Sequence, residues 1–277
     1  MIGLWAGRLK GFPDLGRSAE LISRAMHRIC LPDPEIRLEV GALVQIAGDE
    51  AHHAVRVKRL ADGDRIELFD GAGRSAVARI NRIEKVGKKG GWLLLAECTD
   101  VRCHEPPRPT VEVWSAAPKG PRLESMIEQL SQIGVARWGP LVTTRSVVDP
   151  RQGKLDRLAR TARESAKQCG RPWILSIEPG LTLKQAVNRR SELVVADASG
   201  EPYAGSGAAA ITLLVGPEGG WTPEELAMLR QAGARVASFG RHTMRIESAA
   251  VAAGTIVIDQ EQRFAADAGT RPKETNT

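Results

Sequence analysis

The sequence predicts an α/β protein in two parts, a small β-barrel followed by a domain whose strands alternate with helices over a largely parallel sheet. Three observations point there. Short strand-like segments separated by turn signals occupy residues 37–103, and a proline-rich stretch, His104-Glu-Pro-Pro-Arg-Pro109, follows them. From Thr110 onward, runs of helical period interleave with short apolar runs, the pattern of a parallel sheet covered by helices.

In the first part, strands are expected at Ala42–Ile46, Arg65–Phe69, Ala76–Ile80 and Trp92–Cys98. Asp62-Gly63-Asp64 and Asp70-Gly71-Ala72-Gly73 supply turn chemistry between them. Ile66 and Leu68, then Val77 and Ile80, nearly alternate, as strands with one face on a core require. Glu50–Leu60 reads as a short helix. Three prolines in residues 104–109 remove amide donors and stiffen the chain, which places a linker there.

Beyond the linker the expected elements run strand Thr110–Ala116, helix Arg122–Ile133, strand Trp138–Leu141, helix Lys154–Cys169 and helix Leu183–Arg190. Strands Leu193–Ala196 and Ile211–Val215, helix Pro223–Ala232, strand Arg235–Ser238 and helix Glu247–Asp259 complete the domain. Residues 266–277 are polar with Gly and Pro, a composition that predicts a flexible tail. The expected division is therefore 1–25, 26–103, 104–109, 110–265 and 266–277.

Composition narrows the function classes. At 277 residues, 42% hydrophobic and 26% charged, the chain can bury a sizeable core. No apolar run approaches the roughly 18 residues needed to span a bilayer, and residues 1–26 lack the compact apolar stretch and cleavage site of a secretion signal. Cys30, Cys98, Cys103 and Cys169 form no Cys-x-x-Cys pair and fit reduced thiols in a cytoplasm; Cys98, Cys103 and His104 lack zinc-site spacing, so no metal is expected. The net charge of +6 favours a polyanionic partner, and Arg56–Lys89 holds ten basic residues against five acidic ones. A merely soluble basic surface would carry the same surplus.

Three stretches carry chemistry. Leu213-Leu-Val-Gly-Pro-Glu-Gly-Gly-Trp-Thr-Pro-Glu-Glu-Leu226 ends a buried strand in a Gly/Pro loop and opens a helix. Thr222 is its natural N-cap, Pro223 suits the first helical position and Glu225 completes a capping box. Gly216, Gly219 and Gly220 exceed what a plain connection needs and point to a ligand loop. Phe239-Gly-Arg-His-Thr-Met-Arg-Ile-Glu-Ser-Ala249 joins a strand to the last helix; there Glu247 either serves the positive helix terminus or faces the Gly216–Gly220 loop together with Arg245. In the helix ending Ala162–Cys169, Glu164 and Gln168 share a face, joined by Arg171 if the helix continues past Gly170, and that face suits an RNA, a subunit contact or solvent. Gly205-Ser-Gly207-Ala-Ala-Ala210 mimics a dinucleotide fingerprint but precedes its strand instead of following one, so it reads as a flexible loop.

Taken in order, these motifs resemble one family, the small-subunit ribosomal RNA uridine-N3 methyltransferases of the SPOUT superfamily. The resemblance runs from about His27 to Phe264. It includes His52-His53, Arg59-Leu-Ala-Asp-Gly-Asp64, Phe69-Asp-Gly71, Lys119-Gly120, Gly134-Val135 and Thr144-Arg-Ser-Val147. It continues through Glu164–Arg171, Gly216-Pro-Glu-Gly-Gly220 and Gly240–Ala249. Where the family usually carries Arg-Ile-Leu-Arg before the final helix, this chain has His242-Thr-Met-Arg245, and Leu130 and Gln132 stand where Lys and Glu are common.

The resemblance implies a PUA-like RNA-binding barrel, then a methyltransferase domain whose C-terminal segment threads a trefoil knot. It implies S-adenosylmethionine as cofactor, held mainly by backbone groups of two loops containing Val215, Gly216, Glu218, Gly219 and Gly220, and Phe239, Gly240, Thr243 and Met244. The expected reaction methylates N3 of a specific uridine in 16S ribosomal RNA, in a cytoplasmic homodimer. Charge developing on the uracil ring calls for a fixed cation, expected to be Arg245, with Glu247 orienting it or accepting the N3 proton. His53, Arg59, Lys119, Arg122, Arg145 and Arg171 are expected to hold the RNA. Family chains start at a segment matching Met26-His-Arg-Ile29, which makes residues 1–25 an extension. A SPOUT enzyme on another RNA, a non-catalytic ribosome-assembly factor and a nicotinamide oxidoreductase are the competing classes.

Overall fold

The computed structural model of the chain describes residues 26–31, 33, 35–87, 91–148, 150–189 and 191–270. The expected extension at 1–25 and the end of the expected tail, 271–277, lie outside the described residues.

The first unit is a five-stranded sheet in the order β1-β3-β4-β5-β2: β1 His27–Cys30, β2 Leu43–Ile46, β3 Arg65–Phe69, β4 Arg74–Val86 and β5 Gly91–Cys103. A hairpin across Asp70–Gly73 joins β3 to β4, where the Asp70 carboxylate takes the amides of Ala72 and Arg74. β4 and β5 are longer than sequence alternation suggests because two register shifts let them bend while staying paired. Ile29, Ile46, Ile66, Leu68, Ile80 and Leu94 form its core, closed by Ala51 and Ala54 of a short helix α1, Gly48–His52, and the π-turn His53–Val57 that follows it. β1 escapes the sequence reading because His27-Arg-Ile-Cys30 alternates too briefly to register, yet it pairs parallel to β3 along its whole length.

The second unit carries a sheet in the order β12-β10-β11-β6-β7-β8, every pair parallel. Its strands are β6 Thr110–Ser115, β7 Arg137–Val142, β8 Ser176–Ile177, β9 Leu181–Thr182, β10 Glu192–Pro202, β11 Ala210–Val215 and β12 Arg235–Ser238, with β9 beside β7. The central strands β6 and β11 are buried almost throughout, because helices cover both faces of the sheet. On one face lie α2 Arg122–Ile133, α3 Gln152–Cys169 and α6 Ile246–Thr270, packed through Met126, Leu158 and Ala253 onto Val113, Trp138 and Leu213. On the other lie α4 Leu183–Ala186 and α5 Pro223–Gln231, packed onto Trp114, Val195 and Leu214. Gly139 is obligatory in this layer, since a Cβ there would stand 2.1 Å from the Trp114 ring.

Three differences from the sequence expectation have physical causes. α6 continues to Thr270, beyond the expected start of a tail at Ala266. Gly170 ends α3 in the left-handed conformation at φ +83°, so Arg171 does not extend the helical face of Glu164 and Gln168. The Gly205–Gly207 segment is not a loose loop: the buried Glu261 carboxylate of α6 takes the amides of Ser206 and Gly207 at 2.7 Å, the Ser206 hydroxyl and the Tyr203 hydroxyl.

The two units are bolted together at one junction. Arg28, 7% exposed, pairs with Glu67, donates to the Ala166 carbonyl at 2.7 Å and lies over the Phe69 ring. Lys167 bridges Glu50 of α1 and Glu164 of its own helix at 2.8 and 2.9 Å. No helix among the described residues is long and apolar enough to cross a membrane.

Candidate active site

In a parallel sheet all strands deliver their following loops to one edge, and ligands of open α/β sheets sit outside that carboxyl edge. Ser115 pairs with both Val215 and Pro140, and Ala196 pairs with both Val215 and Ala237. The strands β7, β6 and β11 therefore end side by side, with β12 one strand further along, beyond β10. Their loops carry, in chain order, Lys119 and Gly120, then Thr143–Ser146, then Gly216–Gly220, then Phe239–Arg245.

The β11–α5 loop is locked from three sides. Thr222 caps α5 by accepting from the Glu225 amide, while Glu225 returns one oxygen to the Thr222 amide at 2.9 Å. The other Glu225 oxygen takes the Thr144 amide at 2.8 Å, which ties this loop to the β7 loop. Arg145 donates to the Gly219 carbonyl. Trp221, buried, donates through its indole to the Ala196 carbonyl at 3.0 Å and lies so close to Gly216 that a Cβ there would fall 2.9 Å from the ring. Gly220 adopts φ +68°, a conformation open to glycine at no steric cost.

The β12–α6 loop begins with Phe239 stacked on Tyr203 at 5.6 Å. Its Gly240 lies against the Met244 methyl. The Arg245 carbonyl accepts from the Ala249 amide at 2.8 Å and opens α6, leaving the Arg245 side chain exposed and, among the described residues, without a hydrogen bond or ion pair. Glu247, the second residue of α6, receives Arg122 on one oxygen at 3.5 Å, while its other oxygen is buried without a protein partner. The amides of Glu218, Gly219, Arg241, His242, Thr243 and Met244 donate to no protein acceptor among the described residues. An array of free backbone donors on two adjoining loops fits a ligand recognised by main-chain groups.

The structure places Val215, Gly216, Glu218, Gly219 and Gly220 on the β11 loop and Phe239, Gly240, Thr243, Met244 and Arg245 on the β12 loop at the same edge of the sheet, with Glu247 in the first turn of α6, Lys119 and Arg145 on neighbouring loops and Arg122 at the start of α2. Arg122 faces Glu247, so its guanidinium is partly committed within the protein. Arg171 is the clear correction among the expected RNA-binding residues. Its guanidinium donates to the carbonyls of Ser131 at 2.5 Å, Val135 at 3.1 Å and Gly134 at 3.4 Å, and so satisfies the exposed end of α2 rather than a phosphate. His53 and Arg59 lie on the first unit, His53 with its ring 5.4 Å from that of His27. Sequence reasoning missed the second role of Glu225 and the clamp of Trp221 on Gly216; a buried acid in a capping box and a Trp after three glycines were the only signals.

Comparison with known proteins shows which family the chain belongs to. A family profile described as an RNA methyltransferase domain matches residues 104–258, and one described as an RNA methyltransferase PUA domain matches residues 46–88. Ribosomal RNA small subunit methyltransferase E of Mycobacterium tuberculosis is 31% identical over 230 residues, 78% of this chain and 86% of its own. The chain belongs to the ribosomal RNA small subunit methyltransferase E family. The member from Synechocystis is 30% identical over 232 residues, 80% of this chain and 73% of that one. Among solved structures, a putative methyltransferase from Legionella pneumophila in complex with the bound cofactor SAM superposes with a TM-score of 0.70 at 25% identity, over 83% of this chain and 96% of that one. The family enzyme from Neisseria gonorrhoeae superposes with a TM-score of 0.72 at 24% identity, over 86% and 98% of the two chains, and supports the fold.

Proposed function

We propose that this chain methylates N3 of a uridine in 16S ribosomal RNA with S-adenosylmethionine as methyl donor. The observation that carries the reading is the pairing of two loops rich in unsatisfied amides, Gly216–Gly220 and Phe239–Arg245, with Arg245 and Glu247 at the start of α6, in a chain of this family. The Legionella relative, described with bound SAM, supports the choice of cofactor. A knotted C-terminal segment and a homodimer are part of the same reading.

When bound, S-adenosylmethionine supplies an electrophilic methyl on a sulfonium. The free amides of Glu218, Gly219 and Thr243 would take its polar groups, and Gly216, with no side chain beside the Trp221 ring, would leave the backbone open to it. Uracil N3 must lose its proton before it can attack, and the base must be exposed to reach the site at a cost of a few kcal/mol where it is stacked. Glu247 offers its unpartnered oxygen as the proton acceptor, with Arg122 holding the other. The unpaired Arg245 guanidinium faces the negative charge that spreads onto the uracil oxygens as N3 deprotonates. Lys119 and Arg145, exposed beside the loops, hold phosphates of the strand.

Incubation of the purified protein with methyl-labelled S-adenosylmethionine and small-subunit ribosomal RNA, followed by nucleoside analysis, tests this. The expected product is 3-methyluridine; label in any other nucleoside would overturn the assignment of the reaction.

A further inference from the structure

The last helix buries an acid that the proposed chemistry does not use. Glu261, in the second half of α6, is 2% exposed and, among the described residues, has no ion pair. Neutral donors hold its carboxylate instead. One oxygen takes the Tyr203 hydroxyl at 2.6 Å, the Ser206 amide at 2.7 Å and the Ser206 hydroxyl at 3.0 Å, and the other takes the Gly207 amide at 2.7 Å. The Gly205-Ser-Gly207 motif that mimics a dinucleotide fingerprint is thus the receptor for this carboxylate. A Cβ at Gly207 would stand 2.7 Å from the Phe264 ring, so glycine is what lets the segment lie so close to α6.

Desolvation of a carboxylate opposes folding, and hydrogen bonds from neutral groups mainly offset that cost. What a fully satisfied buried network adds is one defined arrangement of the groups it joins. Here the groups lead to the β12–α6 loop, and Tyr203 is the link. Its amide donates to the Ser238 carbonyl at 3.3 Å, and its ring stacks on Phe239 with centroids 5.6 Å apart and planes inclined by 25°. Arg235 lies 4.7 Å from the same ring and donates to the Gly205 carbonyl at 3.0 Å. The tyrosine is therefore fixed at its hydroxyl and at its backbone, and the residue it stacks on opens the loop that carries Gly240, Thr243 and Met244.

We propose that Glu261 and Tyr203 are positioning residues for S-adenosylmethionine: the carboxylate holds the tyrosine hydroxyl, and the tyrosine ring holds Phe239 and with it the β12–α6 loop in the conformation that binds the cofactor. The inference rests on the reading that this loop takes the cofactor. Without the relay the loop must be ordered at the moment of binding, which costs affinity. Neither residue enters the transfer step, so their loss raises KM for S-adenosylmethionine and spares kcat.

Tyr203 is the single tyrosine of the chain, so protein made with fluorotyrosine gives one fluorine resonance from this position. It is expected to shift on addition of S-adenosylmethionine, and to shift much less in a Phe239→Leu protein. Calorimetry separates positioning from stability. Tyr203→Phe keeps the ring and loses the hydroxyl, and should weaken S-adenosylmethionine binding about three- to tenfold, the scale of one net hydrogen bond. Its methylation rate at saturating cofactor should match that of the parent. In a Phe239→Leu background the same change should leave the affinity unaltered, because effects that run through one contact do not add. Glu261→Gln, which turns one acceptor into a donor, should weaken binding with the same dependence on Phe239. Ser206→Ala removes a donor to the same carboxylate off the path to Phe239, and should lower the unfolding midpoint without altering the affinity.

A Tyr203→Phe protein that unfolds earlier yet binds S-adenosylmethionine as the parent does would make the cluster a stability element alone and overturn the proposal. So would additive effects of Tyr203→Phe and Phe239→Leu on affinity, or a fluorine resonance unmoved at saturating cofactor. Failure of the functional reading looks different. A parent protein that binds no S-adenosylmethionine overturns the cofactor assignment and the relay with it, whereas a parent that binds the cofactor and makes no 3-methyluridine loses the reaction and keeps the relay.

Discussion

Glu247 holds Arg122 on one carboxylate oxygen at 3.5 Å and keeps the other buried with no protein partner, two residues along the chain from the free guanidinium of Arg245. A carboxylate arranged in this way has an acceptor in reserve, and a nearby cation has no internal use. The buried, unpartnered carboxylate oxygen is a cost to stability that a substrate would relieve, whereas the exposed guanidinium is hydrated and free to meet a ligand.

Arg245→Ala is therefore expected to lower the single-turnover methylation rate by about 10²–10³, the loss seen when one donor to a developing oxyanion is removed. S-adenosylmethionine binding, followed by calorimetry, should stay close to that of the parent. Glu247→Gln should cost about 10²–10⁴ in the same assay if it accepts the proton, and Arg122→Ala should cost less than either. An unchanged rate in Arg245→Ala removes it from the chemistry.

Gly216 and Gly219 should respond differently to alanine. At Gly216 the added methyl meets the buried Trp221 ring at 2.9 Å and pushes on its bond to Ala196, an overpacking expected to cost about 1–3 kcal/mol and to weaken cofactor binding. At Gly219 the nearest atom is the flexible Arg145 side chain at 3.2 Å, which can give way. Thermal unfolding of both variants with and without S-adenosylmethionine checks the contrast.

Arg171→Ala should act on stability, not on RNA. Its guanidinium satisfies three carbonyls at the end of α2, and a charged hydrogen-bond donor of this kind contributes about 1.5–3 kcal/mol. A lower unfolding midpoint with an unaltered salt dependence of RNA binding is expected. A shallower salt slope would restore it to the phosphate contacts.

The helix Arg122–Ile133 and the strands Arg65–Phe69 and Arg235–Ser238 were legible to the residue, because a clean apolar period and a following Gly or turn mark their ends. The tight strand-to-helix turn at Gly216–Gly220 and its capping box were legible because glycine, Thr-Pro and a Glu three residues after the cap are local signals. Arg171 was not, since a basic residue after a helix reads the same whether it meets a phosphate or the carbonyls of a helix 36–40 residues away in sequence. Glu261 holding Tyr203 and Ser206 across more than 50 residues, and β1 lying beside β3, are likewise long-range pairings that no local pattern encodes.

His27 predicts a pH dependence. Burial, with the nearby cations, lowers its folded pKa to about 4 from the ordinary histidine value of 6.5, so the unfolded chain binds more protons between those values and stability rises with pH across that window. Stability is fully present above about 6.5 and is lost as pH falls toward 4. Urea unfolding of the wild type and His27→Gln at pH 7 and pH 5 should show a smaller loss in the variant; equal losses would mean that His27 is not the group responsible.

The most direct test of the central claim is nucleoside mass spectrometry of 16S ribosomal RNA from cells lacking this gene, complemented with the wild type or with Arg245→Ala. Loss of 3-methyluridine at one site, restored by the wild type and not by the variant, is the predicted result. An unchanged content of 3-methyluridine in the deletion strain would contradict it.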